Sequence, residues 1–151
     1  MLTHKRSRLS LVLHAIVLLV ALLALGCDQA SGPPAVEPPT ASNETILRAF
    51  GDKQSNVSVI GEGVVARILA DDNDGSRHQR FILRIGADPT VLIAHNIDLA
   101  PRLAPLKTGD VVAFAGIYEW NAQGGVVHWT HRDPEGPPAA GWLRHNGRTV
   151  Q

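Results

Sequence analysis

A small all-β barrel is the fold class this sequence predicts, on three observations. Five segments between Val57 and Thr130 alternate apolar and polar residues or run β-branched, the period of half-buried strands. Turn-formers punctuate them at Asp71-Asp72-Asn73-Asp74-Gly75, Gly86-Ala87-Asp88-Pro89 and Asn121 to Gly125. Between the third and fourth segments, Asn96 to Leu106 carries Pro101 and Pro105, which interrupt strand pairing with a short helical connection or loop.

Taken in order, Glu44 to Phe50 is expected to form a short helix. Ile46, Leu47 and Phe50 recur at helical spacing, Ser42 or Asn43 caps the start, and Gly51 ends it. The first strand runs from Val57 to Leu69, bent at Gly61 and Gly63. The second spans His78 to Ile85, with Phe81, Leu83 and Ile85 on one face and Arg80, Ile82 and Arg84 on the other. Thr90 to His95, Val111 to Trp120 and Val126 to Thr130 supply the third, fourth and fifth. Asp133 to Gln151, rich in Gly and Pro, is expected to be an irregular tail over the surface. Three strands, a short helical connection and two more strands is the order of an OB-like barrel. The competing assignment is another small barrel of SH3-like type.

The first 43 residues read differently. Lys5, Arg6 and Arg8 precede an apolar stretch, Leu9 to Leu25, broken only by Ser10 and His14. This is the layout of a signal peptide, and the stretch is slightly short for a membrane span of roughly 20 residues. Cys27 is the only cysteine. The segment Leu23-Ala24-Leu25-Gly26-Cys27 resembles the lipobox of bacterial lipoproteins, with Ala24 where that motif more often has Leu, Val or Ile. The resemblance implies removal of residues 1–26 and lipidation of Cys27, leaving the chain on the bacterial cell envelope and facing the periplasm. Asp28 resembles the inner-membrane retention signal of enteric bacteria. Residues 27–43 hold Pro33, Pro34, Pro38 and Pro39 among small residues and read as a tether. At about 3.1 Å per residue, such a tether reaches roughly 50 Å. Residues 44–151 form the expected OB-like domain.

Removal of residues 1–26 takes three of the 14 basic residues and none of the 14 acidic ones, leaving a slightly acidic chain. No cysteine other than Cys27 exists to form a disulfide, so stability rests on a packed core. From Val57 onward the acidic residues slightly outnumber the basic ones. That balance argues against general nucleic-acid binding, which needs a broad positive field.

Five histidines lie after the tether: His78, His95, His128, His131 and His145. Strands of a meander alternate direction. The end of the first strand, the start of the second and the ends of the third and fifth therefore share one pole. Asp71–Asp74, His78, His95, Asn96, Asp98, His131 and Asp133 are expected to converge there. A turn at Gly86–Pro89 would set Arg80 opposite His95 and His78 near Ile97. With His145, these side chains make a candidate His/Asn/Asp/Arg ligand pocket: His78, Arg80, His95, Asn96, Asp98, His131, Asp133 and His145. Imidazoles also bind transition metals such as zinc, which makes His78, His95 and His131 a candidate metal set. Against this, such residues at strand ends often only satisfy backbone groups. His-Glu-x-x-His and paired-Cys motifs are missing, and no catalytic residue is singled out. Asp71-Asp72-Asn73-Asp74-Gly75 lacks the oxygen ligands of a calcium loop, and Ser76 lacks a nucleophile elbow. Trp120, Trp129 and Trp142 stack on bases or sugars in some proteins, but in a small barrel they more often pack in the core or rim.

Several long stretches also resemble the DUF3465 family of uncharacterised bacterial proteins. They are Asp71-Asp72-Asn73-Asp74-Gly75-Ser76-Arg77-His78-Gln79-Arg80-Phe81, His95-Asn96-Ile97-Asp98-Leu99-Ala100-Pro101-Arg102, Tyr118-Glu119-Trp120-Asn121, Gly124 to Pro134 and Gly141 to Gly147. The resemblance covers most of the chain after Gly61 and implies a small exported protein with no assigned activity. Pro137-Pro138 stands where relatives often have a histidine, and Val150 where a tyrosine is usual. The functional expectation is an envelope lipoprotein that binds a small anionic or carbohydrate-like ligand, with the membrane as partner through its lipid. A metal-dependent, phosphodiesterase-like hydrolase and a structural partner in an envelope assembly are the alternatives.

Overall fold

The computed structural model describes residues 42–87, 89–103, 105–132 and 141–151. The expected signal peptide, Cys27, the tether up to residue 41, and Asp133 lie outside the described residues. Helix α1 (Glu44–Gly51) comes first. Seven strands follow: β1 (Val57–Ile68), β2 (His78–Arg84), β3 (Thr90–Asn96), β4 (Val111–Glu119), β5 (Val126–His128), β6 (Trp142–His145) and β7 (Arg148–Val150).

β1 is long enough to serve two partners. Its first half pairs with β4 and its second half with β2. β2 pairs with β3, β3 runs parallel to β5, and β5 pairs with β4. The circuit β1-β2-β3-β5-β4 therefore closes on β1. The irregularity in β1 falls between Val65 and Arg67, just past the expected bend at Gly61 and Gly63. Val59, Val65, Phe81, Leu83, Val91, Ile93, Val112, Phe114, Tyr118 and Val127 fill the interior. Closure leaves no open edge among these five strands, a common hazard of small β proteins.

The two ends are plugged differently. α1 turns Ile46 and Ala49 into the core at one end. Asn43 occupies the N-cap position, but its side chain makes no cap bond. It donates instead to Glu62 O and Ile85 O, both at 2.7 Å, and accepts from Glu62 N at 3.0 Å. The residue expected to start the helix thus fastens the helix to the barrel. At the opposite end, the connection between β3 and β4 sends Leu103 into the core. The helical connection expected there is built otherwise: Ile97–Leu99 form a turn, and among the described residues of the connection there is no helix.

Two expectations are corrected. The first concerns register: Arg80 pairs with Ala94, while His95 pairs with Gln79 and His78 with Asn96. Ile85 N bonds Pro89 O at 3.0 Å, so Pro89 belongs to the paired strands and not to the turn expected over 86–89. A one-residue slip exchanges faces. His95 therefore points inward with Gln79, and Arg80 points out.

The second concerns the irregular tail. Residues 142–150 form a hairpin, and β6 extends the sheet along β4. Asn146 (φ 47°) and Gly147 (φ 75°) are both left-handed, the pattern of the Asn-Gly turn whose twist suits paired strands. Leu143 and Val150 anchor the hairpin in the core, so the valine at the position where tyrosine is usual is a core residue.

Candidate functional site

The end of the barrel reached by the last residues of β1, β3 and β5 gathers most of the chemistry-bearing side chains. They divide between an inner and an outer set, because alternate residues of a strand face opposite ways. The inner set holds the plug. Gln79 donates to Leu103 O at 2.8 Å and accepts from Leu103 N at 2.9 Å. His95 is fully buried. Its Nε2 lies 3.1 Å from Pro101 O and its Nδ1 2.9 Å from Thr130 Oγ1. A carbonyl only accepts, so Nε2 carries the proton, and the Thr130 hydroxyl donates to Nδ1. Burial, more than any other influence, pushes the His95 pKa below its ordinary 6.5, with His131 and His78 adding repulsion. His95 is thus a neutral imidazole with both nitrogens engaged.

The outer set is a network of exposed pairs. Arg77 donates to Asp98 through its backbone N at 2.8 Å and through Nε at 2.7 Å. These bonds, the backbone one foremost, hold the Asp98 carboxyl below its usual range. Asn96 Oδ1 accepts from Asp98 N and Leu99 N, shaping the turn after β3. Arg80 Nε donates to Ala70 O, and its guanidinium lies 3.5 Å from Asp72. Arg102 pairs with Asp71. His78 Nδ1 donates to Ser76 O at 2.7 Å. Arg77, Arg80 and Arg102 are therefore met by aspartates.

His131 is buried beside this end, with Nδ1 3.0 Å from Arg132 O. His145 is turned elsewhere. Its Nε2 lies 3.2 Å from Asp110 Oδ2, the carboxylate oxygen that also accepts Lys107 N and shapes the turn before β4. So His78, His95 and His131 are neighbours, but His95 faces in and has no lone pair to spare. Among the described residues no three His, Cys, Asp or Glu side chains are disposed to hold a metal ion.

Trp129 is the feature that sequence reasoning assigned to packing. It is 46% exposed. Its φ of 52° is rare for a bulky residue, which loses energy against its own carbonyl there. This single left-handed residue resets the strand's alternation. With Val127 in the core, strict alternation would bury Trp129 and expose Thr130, yet the reverse holds. The Trp129 ring lies 5.5 Å from that of His131 and 6.3 Å from that of His128. Gly141 sits against the Trp129 carbonyl, where any side chain would collide. The polar residues on both sides of the tryptophan, in His128-Trp129-Thr130-His131, were the available signal.

The result is a closed mixed barrel with one polar-held end and an indole displayed beside imidazoles. Residues 33–151 match the family described as "Protein of unknown function (DUF3465)", and the chain belongs to that family. No curated protein matches the sequence.

Proposed function

We propose that this chain is a binding module of OB-like architecture, carried on the bacterial envelope by lipid at Cys27, and that its ligand is carbohydrate-like. The strand circuit β1-β2-β3-β5-β4, with β3 and β5 parallel, supports the OB-like assignment. The observation that carries the function is Trp129, displayed on a left-handed backbone between two imidazoles. Local strain of about 1–3 kcal/mol persists where surrounding structure imposes it, and it concentrates at binding sites. An indole face offers apolar contact to the C–H face of a sugar ring.

Of the two ligand classes expected, the sugar is favoured over a small anion at this end. Arg77, Arg80 and Arg102 each face an aspartate, so their charge is already answered. The metal-dependent reading loses support with His95, whose nitrogens serve Thr130 and Pro101.

The test is titration of the full chain, in detergent micelles, with neutral oligosaccharides, following the three indole N–H resonances by NMR. The Trp129 resonance is expected to shift on binding, and Trp129→Ala to weaken binding at least tenfold. Shifts confined to Trp120, or unchanged affinity in Trp129→Ala, would refute this reading.

A further inference from the structure

β5 and β6 lie end to end along one edge of β4. Ile117 stands opposite His128, Ala115 opposite Trp142 and Ala113 opposite Arg144. On β4 the residues turned into the barrel are Val112, Phe114 and Tyr118, so Ala113, Ala115 and Ile117 lie on the opposite face, where the two alanines are covered by their neighbours. Directly paired residues share a face. His128, Trp142 and Arg144 therefore form a file on the outer surface, spaced about 7 Å apart along the strand direction. Trp129 follows His128 on the side toward Trp142, since β5 runs antiparallel to β4, and Gly141, the residue before Trp142, sits against the Trp129 carbonyl.

Arg144 ends this file and differs from the arginines at the polar-held end. Its guanidinium carbon lies over the Trp142 ring, 5.1 Å from the centroid, within cation–π range. Among the described residues no carboxylate is within ion-pair distance of it, in contrast to Arg77, Arg80 and Arg102. A planar cation held on an indole is suited to a carboxylate, which it meets with two parallel bonds.

We propose that Trp129, His128, Trp142 and Arg144 form an extended site for an oligosaccharide bearing a carboxylate, as uronic acids do. This rests on the sugar-binding reading above and adds a second aromatic subsite and a charge-reading one. Trp129 and Trp142 stack on successive rings. Arg144 receives the carboxylate.

A matched pair of probes tests it: a short uronic-acid oligosaccharide, and the same oligosaccharide with its carboxylates reduced to alcohols. Calorimetry on the full chain in detergent is expected to show about tenfold tighter binding of the acid form, the size of one charge-assisted contact. Arg144→Gln should erase that preference. Trp142→Ala should weaken both forms. Arg144 is exposed, so the thermal unfolding midpoint of Arg144→Gln is expected to match the parent. No preference in the parent, or a preference that survives Arg144→Gln, would overturn the extended site. If the parent bound neither form, the sugar-binding reading itself would fall.

Discussion

At the end where β1 begins, α1 lays Ile46 and Ala49 into the barrel, and one polar side chain, Asn43, ties it down. At the other end the connection after β3 inserts Leu103, but it is tied by inward-facing Gln79 and His95, with Thr130 completing the group. The first plug depends mainly on apolar burial, which is non-directional and worth about 25 cal/mol per Å². The second depends on hydrogen bonds of fixed geometry, each modest when made but costly to leave unmade. So the apolar end supplies stability, and the polar end supplies shape. The exposed Trp129 is at the shaped end, one residue from the threonine that bonds His95.

The sharpest way to break this contrast is to empty the apolar plug. Ile46→Ala removes a fully buried side chain and leaves a cavity. It is expected to cost about 2–5 kcal/mol of global stability in urea unfolding. A loss under about 1 kcal/mol would mean that α1 is dispensable and the contrast false. At the polar end, Gln79→Ala strands the N–H and C=O of Leu103. The cost expected is about 1–3 kcal/mol, with a local signature. Hydrogen exchange should quicken at Leu103 while the amides of α1 keep their protection. Equal quickening at both ends would show one cooperative core in place of two independent plugs.

Much of this fold was legible in the chain. The five barrel strands follow the alternation read from residues such as Phe81, Leu83 and Ile85, because burial on one face imposes that period. Three features escaped for specific reasons. The register of β2 on β3 depends on whether the loop closes at Ile85–Pro89, which composition does not reveal. Trp129 reverses the expected faces through one backbone angle, which no periodicity encodes. The terminal hairpin is signalled by Asn146-Gly147, a strong turn pair, within a segment whose Gly and Pro content otherwise reads as irregular. The structure places His78, His95 and His131 near one another and His145 against Asp110. Which of them faced inward required the register.

Acid should act on the polar end alone. The His95 pKa is lowered from 6.5 by burial, so the unfolded chain binds a proton more readily than the folded one. Stability from this group is full above about pH 6.5 and is lost as pH falls from there through the lowered folded value. Asp98, also lowered, adds a separate loss beneath its ordinary 3.8. Thermal melts of the parent should therefore decline below pH 6.5, and His95→Gln should flatten that upper part of the profile. An unchanged slope in the variant would place the acid sensitivity elsewhere.

The smallest effect expected is also the most specific to Trp129. Glycine is ordinarily the more destabilising substitution, because it frees the unfolded backbone. At a left-handed position the order reverses, since alanine keeps the clash of its Cβ with the carbonyl, and glycine does not. Both substitutions surrender the indole equally, so their difference isolates the backbone. Trp129→Gly is expected to be about 1 kcal/mol more stable than Trp129→Ala, with the two equally weak toward oligosaccharide. If alanine were the more stable, φ at 129 would not be held left-handed in solution. The tryptophan would then follow the strand's alternation into the barrel, and the polar end would have no exposed indole to offer a ligand.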